Sequence, residues 1–300
     1  MSERRTLLRS WMFVPGDKQR MIDKALALGC DAIMMDIEDG VAPNEKENAR
    51  RQIASSLDAL DKTRKTPARY VRINAVGSER MFDDLAAVLR PGLEGLVVPK
   101  VDHPDQVKAV EDIIVQTEKE RGMPRDSVRL LVAIESPVGL FNAHAIASAS
   151  PRVMGLIFGA EDFCREMGLP LRREGEAADL IYARSHIATS AAAAHIQSVD
   201  GVWTDLKDPV GLKRHALQAR RLGMTGISIV HPSQIADANA AFTPTREDME
   251  YASEVLKAFE EARARGDGAI AFRGQLLDYP IVDRARQTVA LGKSLGVMPG

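Results

Sequence analysis

DAIMMDIEDG, residues 31–40, sets four apolar side chains ahead of three carboxylates, Asp36, Glu38 and Asp39. A short apolar run of this kind reads as a strand buried on both faces, and the charged residues after it as the loop into the next element. The same grammar recurs along the chain. Apolar runs rich in Val, Ile, Leu and Met fall at 11–14, 32–37, 70–73, 95–98, 130–134, 153–158, 199–203 and 226–230. Helix-like amphipathic stretches lie between them, among them 45–60, 105–120, 177–196 and 211–222, with 245–265 as the eighth. Eight successive βα units predict an α/β fold of the (β/α)₈ TIM-barrel type with a C-terminal extension. No GxGxxG or GxxxxGK[ST] follows any run, which weighs against a nucleotide-binding open sheet. Residues 1–265 are then the barrel and its catalytic site. Residues 266–300 form an extension that is free to cap the barrel bottom, cover its mouth or reach a neighbouring subunit's mouth.

Composition narrows the function classes. With 45% apolar side chains, 300 residues bury a sizeable core, and 40 basic against 42 acidic residues leave a net charge of −2. Neither nucleic acid nor a membrane surface is suggested as a partner; a small molecule is. Cys30 and Cys164 have no metal-ligand or disulfide spacing, which suits a reducing compartment. The opening MSERRTLLRSWMF runs almost directly into a strand, leaving no room for a signal peptide, so a cytoplasmic protein is expected. The six histidines make no HExxH or paired spacing, and no GxSxG elbow is present.

The ends of the runs carry the chemistry. In order they read VPGD, DIEDG, RIN, VPK, IES, GAED, VWTD and VHP, and in a barrel the carboxyl ends of the strands converge on one mouth. Glu135 and Asp162 end the fifth and sixth runs and are therefore neighbours there. Two carboxylates without His or Cys suit a hard cation such as Mg²⁺, while a helix cap or structural ion pair explains them equally well. Asp36, Glu38 and Asp39 fit behind them as acceptors for metal-bound water or as partners for cations. Arg72 and Lys100 end the third and fourth runs and are the matching counter-charges. Arg72 suits a bidentate grip on a carboxylate or an enolate oxygen, and equally a salt bridge to the Glu38 cluster. If Asp17 caps the first helix, Arg20 and Lys24 share one face of its first two turns, where the dipole disfavours cations unless an anion such as phosphate binds. A solvated helix face is the competing reading.

RSWMFVPGD, DIEDGVAPNEKENAR, VRIN, VVPK, AIESPVGL, GAED, SIVHPSQI and GQLLDYPIVDRA, in this order from Arg9 to Arg286, together resemble the citrate lyase β-subunit-like (HpcH/HpaI aldolase/citrate lyase) family, which includes malyl-CoA and citramalyl-CoA lyases. The resemblance implies a (β/α)₈ barrel, trimers or hexamers, and Mg²⁺-dependent carbon–carbon bond chemistry beside a CoA thioester. It further implies Mg²⁺ on Glu135 and Asp162, substrate on Arg72, and CoA contacts from Phe13, Arg20, Lys24 and the backbone at Ser228 and Ile229. Asp278, in GQLLDYP, matches the acid that a neighbouring subunit inserts into the site. Related sequences often carry Gly-Lys ahead of the strand-eight His-Pro, where this chain has Gly226 and Ile227.

The expected reaction is reversible cleavage of a 3-hydroxyacyl-CoA, such as citramalyl-CoA or malyl-CoA, into an acyl-CoA and a 2-oxo acid. Arg72 stabilises the leaving enolate and Asp278 serves as general acid and base. The alternatives are a citrate lyase β subunit acting on a carrier-protein thioester, a metal-dependent pyruvate aldolase without CoA, and a non-catalytic binding protein.

Overall fold

The computed structural model describes residues 7–60, 66–170, 178–264 and 269–297. Eight parallel strands close into a barrel in sequence order. They are β1 (Ser10–Pro15), β2 (Ala32–Asp36), β3 (Ala68–Arg72), β4 (Gly95–Val98), β5 (Arg129–Ile134), β6 (Val153–Phe158), β7 (Gln197–Asp200) and β8 (Gly226–Ile229). The intervening helices are α1 (Gln19–Ala25), α2 (Lys46–Asp58), α3 (Glu79–Val88), α4 (Pro104–Glu120), α5 (Pro137–Phe141), α6 (Ala143–Ala147), α7 (Ala160–Met167), α8 (Ile181–Ala193), α9 (Pro209–Arg221) and α10 (Ile235–Ala241). This is the (β/α)₈ architecture that the eight apolar runs predict.

Strands such as β2, β4 and β6 are buried at every position. One face looks into the barrel and the other meets the helices, so their sequences are continuous apolar runs rather than alternations. Trp11, Ala32, Met34, Tyr70, Val97, Leu131, Ala133, Met154, Ile157 and Val199 form one buried cluster. Within it the Trp11 and Tyr70 rings meet edge to face at 4.8 Å. The barrel is thus a packed core below and a pocket only near the strand ends.

Two elements differ from the sequence expectation. The seventh strand is Gln197–Asp200 instead of 199–203, because the β6 ladder pairs Gly155 with Gln197 and ends by Val199. Beyond it, Trp203 already belongs to the loop, donating its indole N–H to the Asp208 carbonyl at 3.1 Å. The eighth barrel helix is α10, while the helix expected at 245–265, α11 (Arg246–Ala264), lies in another unit. Leu7–Ala241 form one compact unit, and the chain from Phe242 belongs to a second. In the second unit α11 packs with α12 (Tyr279–Ser294) and with a hairpin of β9 (Ile270–Phe272) and β10 (Gln275–Leu277). Val255, Phe259, Leu277 and Val282 fill its core, fully buried. The apolar face of α11 is satisfied by the C-terminal segment, which is why its helical periodicity alone could not assign it. No helix among the described residues is long and apolar enough to cross a membrane.

Candidate functional site

A pocket of about 320 Å³ opens at the carboxyl ends of the strands. Its charged lining is Asp36, Arg72, Glu135, Glu161 and Asp162; Phe13, Val97, Ala133, Ile157 and Val202 supply apolar walls.

The β2–β3 register sets Asp36 beside Arg72 at the last pair of both strands. The Arg72 guanidinium grips that carboxylate in a fork, Nε to Oδ1 and Nη2 to Oδ2, each at 2.7 Å. Its Nη1 lies 3.0 Å from Glu38 Oε2, and its centre sits 4.9 Å above the Phe13 ring. Burial works against the Arg72 cation, but Asp36 and Glu38 outweigh it and hold the pKa above the ordinary arginine value. Among the described residues, two of its five N–H groups hydrogen-bond to Asp36 and a third faces Glu38 as an ion pair.

Asp36 also shapes the turn that follows. Oδ1 accepts from the Glu38 amide and Oδ2 from the Gly40 amide, both at 2.9 Å. A Cβ at Gly40 would lie 2.3 Å from Oδ2, so the turn closes only with glycine there. Below it, buried Lys46 donates to the carbonyls of Ile37 and Glu38 at 2.7 and 2.8 Å and to Asn74 Oδ1 at 2.9 Å. Asn74 in turn donates to Asp84 at 2.6 Å. Burial pulls the Lys46 ammonium below its ordinary pKa. Neither Lys46 nor Asn74 was expected in this support. A lysine in an amphipathic helix reads as solvated, though the polar Asn74 directly after the third run was a usable signal.

Lys100 pairs with Glu38 and lies 2.7 Å from Asp39. Burial opposes its charge, yet Asp39 and Glu38 raise its pKa. Asp39 shows the converse: burial pushes its carboxyl up, and the Lys100 hydrogen bond and charge more than reverse that. Lys100 takes φ +53°, the left-handed region that a side chain adopts at a cost. From there its amide donates to Glu135 Oε2 at 3.1 Å.

Glu135 is the carboxylate with the least compensation. It is 6% exposed, and its pKa is pushed up to about 7 by burial and by the charge of Glu38 and Asp162, against the pull of Arg72 and Lys100. Capping falls to the next residue, since Ser136 Oγ accepts from the Gly139 amide at 2.8 Å at the start of α5. On the adjacent strand end, α7 starts from Gly159, where a Cβ would come within 2.2 Å of Glu135 Cγ. Asp162 lies in the first turn of α7 and pairs at 2.7 Å with Arg165, itself 73% exposed. An exposed i,i+3 pair of this kind holds a carboxylate weakly. Among the described residues no group of three or more His, Cys, Asp or Glu side chains makes a closed metal cluster.

Other candidates sit apart. Arg20 and Lys24 are exposed on α1 and do not line the pocket. The helix begins one residue later than an Asp17 cap would place it: Lys18 is the N-cap position, and Asp17 pairs with Lys18 at 2.5 Å. With only seven residues, α1 has Lys24 in its last turn, where the dipole favours a cation. The dipole argument for an anion therefore fails for Lys24 and is left with Arg20 alone, in the first turn. Ser228 lines the pocket; Ile229 is fully buried and does not. In the second unit, Asp278 is the N-cap of α12, its Oδ1 accepting from the Ile281 amide at 3.3 Å.

Comparison with known proteins gives the same picture from outside. Citrate lyase subunit beta of Leuconostoc mesenteroides is 35% identical over 288 residues, covering 96% of this chain and 94% of its own. The mitochondrial citramalyl-CoA lyase of Mus musculus is 33% identical over 297 residues, covering 96% and 86%. Among solved structures, protein CitE from Mycobacterium tuberculosis in complex with magnesium, acetoacetate and coenzyme A superposes with a TM-score of 0.78 at 29% identity, covering 97% of this chain and 100% of that one. The model of one family matches residues 9–232, the stretch that contains all eight strands and every pocket residue. The chain belongs to the HpcH/HpaI aldolase/citrate lyase family.

Proposed function

We propose that this protein is a Mg²⁺-dependent carbon–carbon lyase that cleaves a 3-hydroxyacyl-CoA, such as citramalyl-CoA or malyl-CoA, into an acyl-CoA and a 2-oxo acid. The observation that carries the reading is the pairing, in one pocket, of an under-compensated buried carboxylate, Glu135, with a nearby Asp162 and with the Arg72 cation. A buried carboxylate whose pKa is raised by burial and by neighbouring carboxylates fits a cation, and hard carboxylate oxygens fit Mg²⁺ with water and substrate completing its shell. Glu135 and Asp162 would hold it. Bound there, the cation supplies Lewis-acid polarisation of substrate oxygens.

The protein's own residues account for the rest. In cleavage the hydroxyl proton passes to solvent water at the pocket mouth as the bond between the acyl α-carbon and the hydroxyl-bearing carbon breaks, the hydroxyl carbon becoming the ketone of the oxo acid and the electron pair passing to the thioester as an enolate. Arg72 stabilises that oxygen with its guanidinium charge; its position is fixed by Asp36 and Glu38, so little reorganisation is needed as charge develops. The apolar walls from Phe13, Val97, Ala133 and Ile157 exclude water from the carbanionic centre. Asp278, supplied by a neighbouring subunit of a trimer or hexamer, delivers the proton to the enolate carbon in cleavage and removes it in condensation. Arg20 and Lys24 meet the phosphates of CoA, and the chain at Ser228, which lines the pocket where Ile229 does not, meets the thioester arm.

The decisive assay incubates the purified protein and Mg²⁺ with a panel of 3-hydroxyacyl-CoA esters and identifies the released oxo acid by mass spectrometry. Glu135→Gln should abolish release while the protein stays folded; release that persists in this variant or in chelator refutes the metal assignment. The likeness to citrate lyase subunit beta supports a second reading, action on a carrier-protein thioester. Turnover of the carrier-bound ester alone would select it.

A further inference from the structure

Ser228 lies in β8 and lines the pocket, yet it is 1% exposed and its Oγ has no hydrogen-bond partner among the described residues. Other buried serines in the barrel unit do find partners. Ser10 donates to Asn239 Oδ1 at 2.7 Å, and Ser150 donates to Glu111 Oε1 at 2.7 Å. An orphaned hydroxyl loses its hydration on folding and regains nothing, whereas alanine at the same position would pack almost the same volume without that loss. Such a group is accounted for when a ligand supplies the missing partner.

The surroundings select the ligand's chemistry. Charged lining comes from β2, β3 and the segments after β5 and β6, as Asp36, Arg72, Glu135, Glu161 and Asp162. On its β1 side, Ser228 is in register with Trp11, and the pocket there is lined by Phe13 and Val14. Val230 continues the same wall from just beyond β8. A lone hydroxyl in an apolar wall suits a neutral acceptor, because a second carboxylate there would be buried without a counter-charge. In a 3-hydroxyacyl-CoA the neutral acceptor at the acyl end is the thioester carbonyl.

We infer that Ser228 Oγ donates a hydrogen bond to the thioester carbonyl oxygen and so helps to select an acyl thioester, an assignment that rests on the lyase reading above. As cleavage turns the thioester into an enolate, that oxygen gains negative charge and the bond strengthens. Ser228 then acts from β8 while Arg72 acts from β3.

The test compares acetyl-CoA with S-ethyl-CoA, which carries CH₂ in place of the carbonyl, by titration calorimetry on the intact Mg²⁺-loaded protein and its Ser228→Ala and Ser228→Cys variants. Both variants should bind acetyl-CoA roughly three- to tenfold more weakly, the range of one neutral hydrogen bond, and bind S-ethyl-CoA as the wild type does. Their thermal midpoints should equal or exceed the wild type's, since no internal bond is removed. For the hydroxyacyl-CoA substrate, kcat should fall more than KM rises. If the wild type cleaves that substrate but the variants weaken both probes equally, or neither, the Ser228 assignment alone is overturned. A wild type that binds neither probe and cleaves no hydroxyacyl-CoA overturns the lyase reading and this assignment together.

Discussion

Asp36→Asn tests the frame on which the whole site hangs. The Asp36 carboxylate accepts four hydrogen bonds, and each oxygen takes one from a backbone amide and one from Arg72. Asparagine keeps one oxygen and turns the other into an NH₂ that faces two donors. Flipping the amide offers no escape, because both oxygens are loaded alike. The variant therefore loses two bonds to an ionised carboxylate, one from Arg72 and one from a backbone amide, at about 1.5–3 kcal/mol each, so the net loss should reach at least about 3 kcal/mol. At about 2 °C per kcal/mol for a chain of this size, the thermal midpoint should drop by at least roughly 6 °C. Asp39→Asn is the internal control: its partner is also a cation, Lys100, but its side chain is 61% exposed. That change should cost less than about 1 kcal/mol. Urea unfolding of both variants, with the wild type alongside, reads the difference. Equal midpoints for the two variants would show that the Arg72–Asp36 fork does not organise the β2–β3 end, and the mechanism built on a fixed Arg72 would lose its basis.

Metal-free protein should carry a stability signature from Glu135, whose carboxyl titrates near 4.5 in the unfolded chain and at about 7 in the folded one. Between those values the folded state holds a proton that the unfolded state has lost, so stability should fall as pH rises through this window, by roughly 3 kcal/mol in all. Glu135→Gln should flatten that slope in denaturation series run in chelator; parallel curves would refute the burial argument. Gly159→Ala sets a methyl 2.2 Å from Glu135 Cγ and should cost about 1–3 kcal/mol while removing most activity, whereas Gly29→Ala, which meets nothing within 4 Å, should do neither. Asp278→Asn preserves an N-cap and should leave stability unchanged while abolishing α-proton exchange in acetyl-CoA; Asp278→Ala should cost about 1 kcal/mol besides. Reassembled mixtures of Asp278→Asn and Glu135→Gln chains should regain activity, and confirmed mixed oligomers without recovery would remove Asp278 from a neighbour's site.

The barrel and the identity of its mouth were legible in the sequence because both are written locally. A strand buried on two faces is an unbroken apolar run, and residues at or beside the ends of such runs, Asp36, Arg72 and Glu135 among them, line the pocket that the fold forms. Local pattern failed where the partner of a face was distant. The periodicity of 246–264 is that of any amphipathic helix, and only packing against Val282 and Leu277 assigns it to the second unit. It failed at α1 as well, where the cap position and a length of seven residues moved Lys24 to the other end of the dipole.

Charge was legible as a cluster but not as a set of pairs. Asp36, Glu38, Asp39, Glu135 and Asp162 are all carboxylates at strand ends, equivalent on paper. Register matches Asp36 to Arg72, thirty-six positions along the chain, and leaves Glu135, among the described residues, with one backbone N–H and a carboxyl pushed up to about 7. The sequence by itself determined which residues reach the mouth, since strand period and strand end are properties of consecutive residues. Only the tertiary structure decided which of them are spent on one another and which, like Glu135 and the Ser228 hydroxyl, are poorly compensated among the described residues, because hydrogen bonds and Coulomb terms depend on distances between segments that only the closed barrel sets.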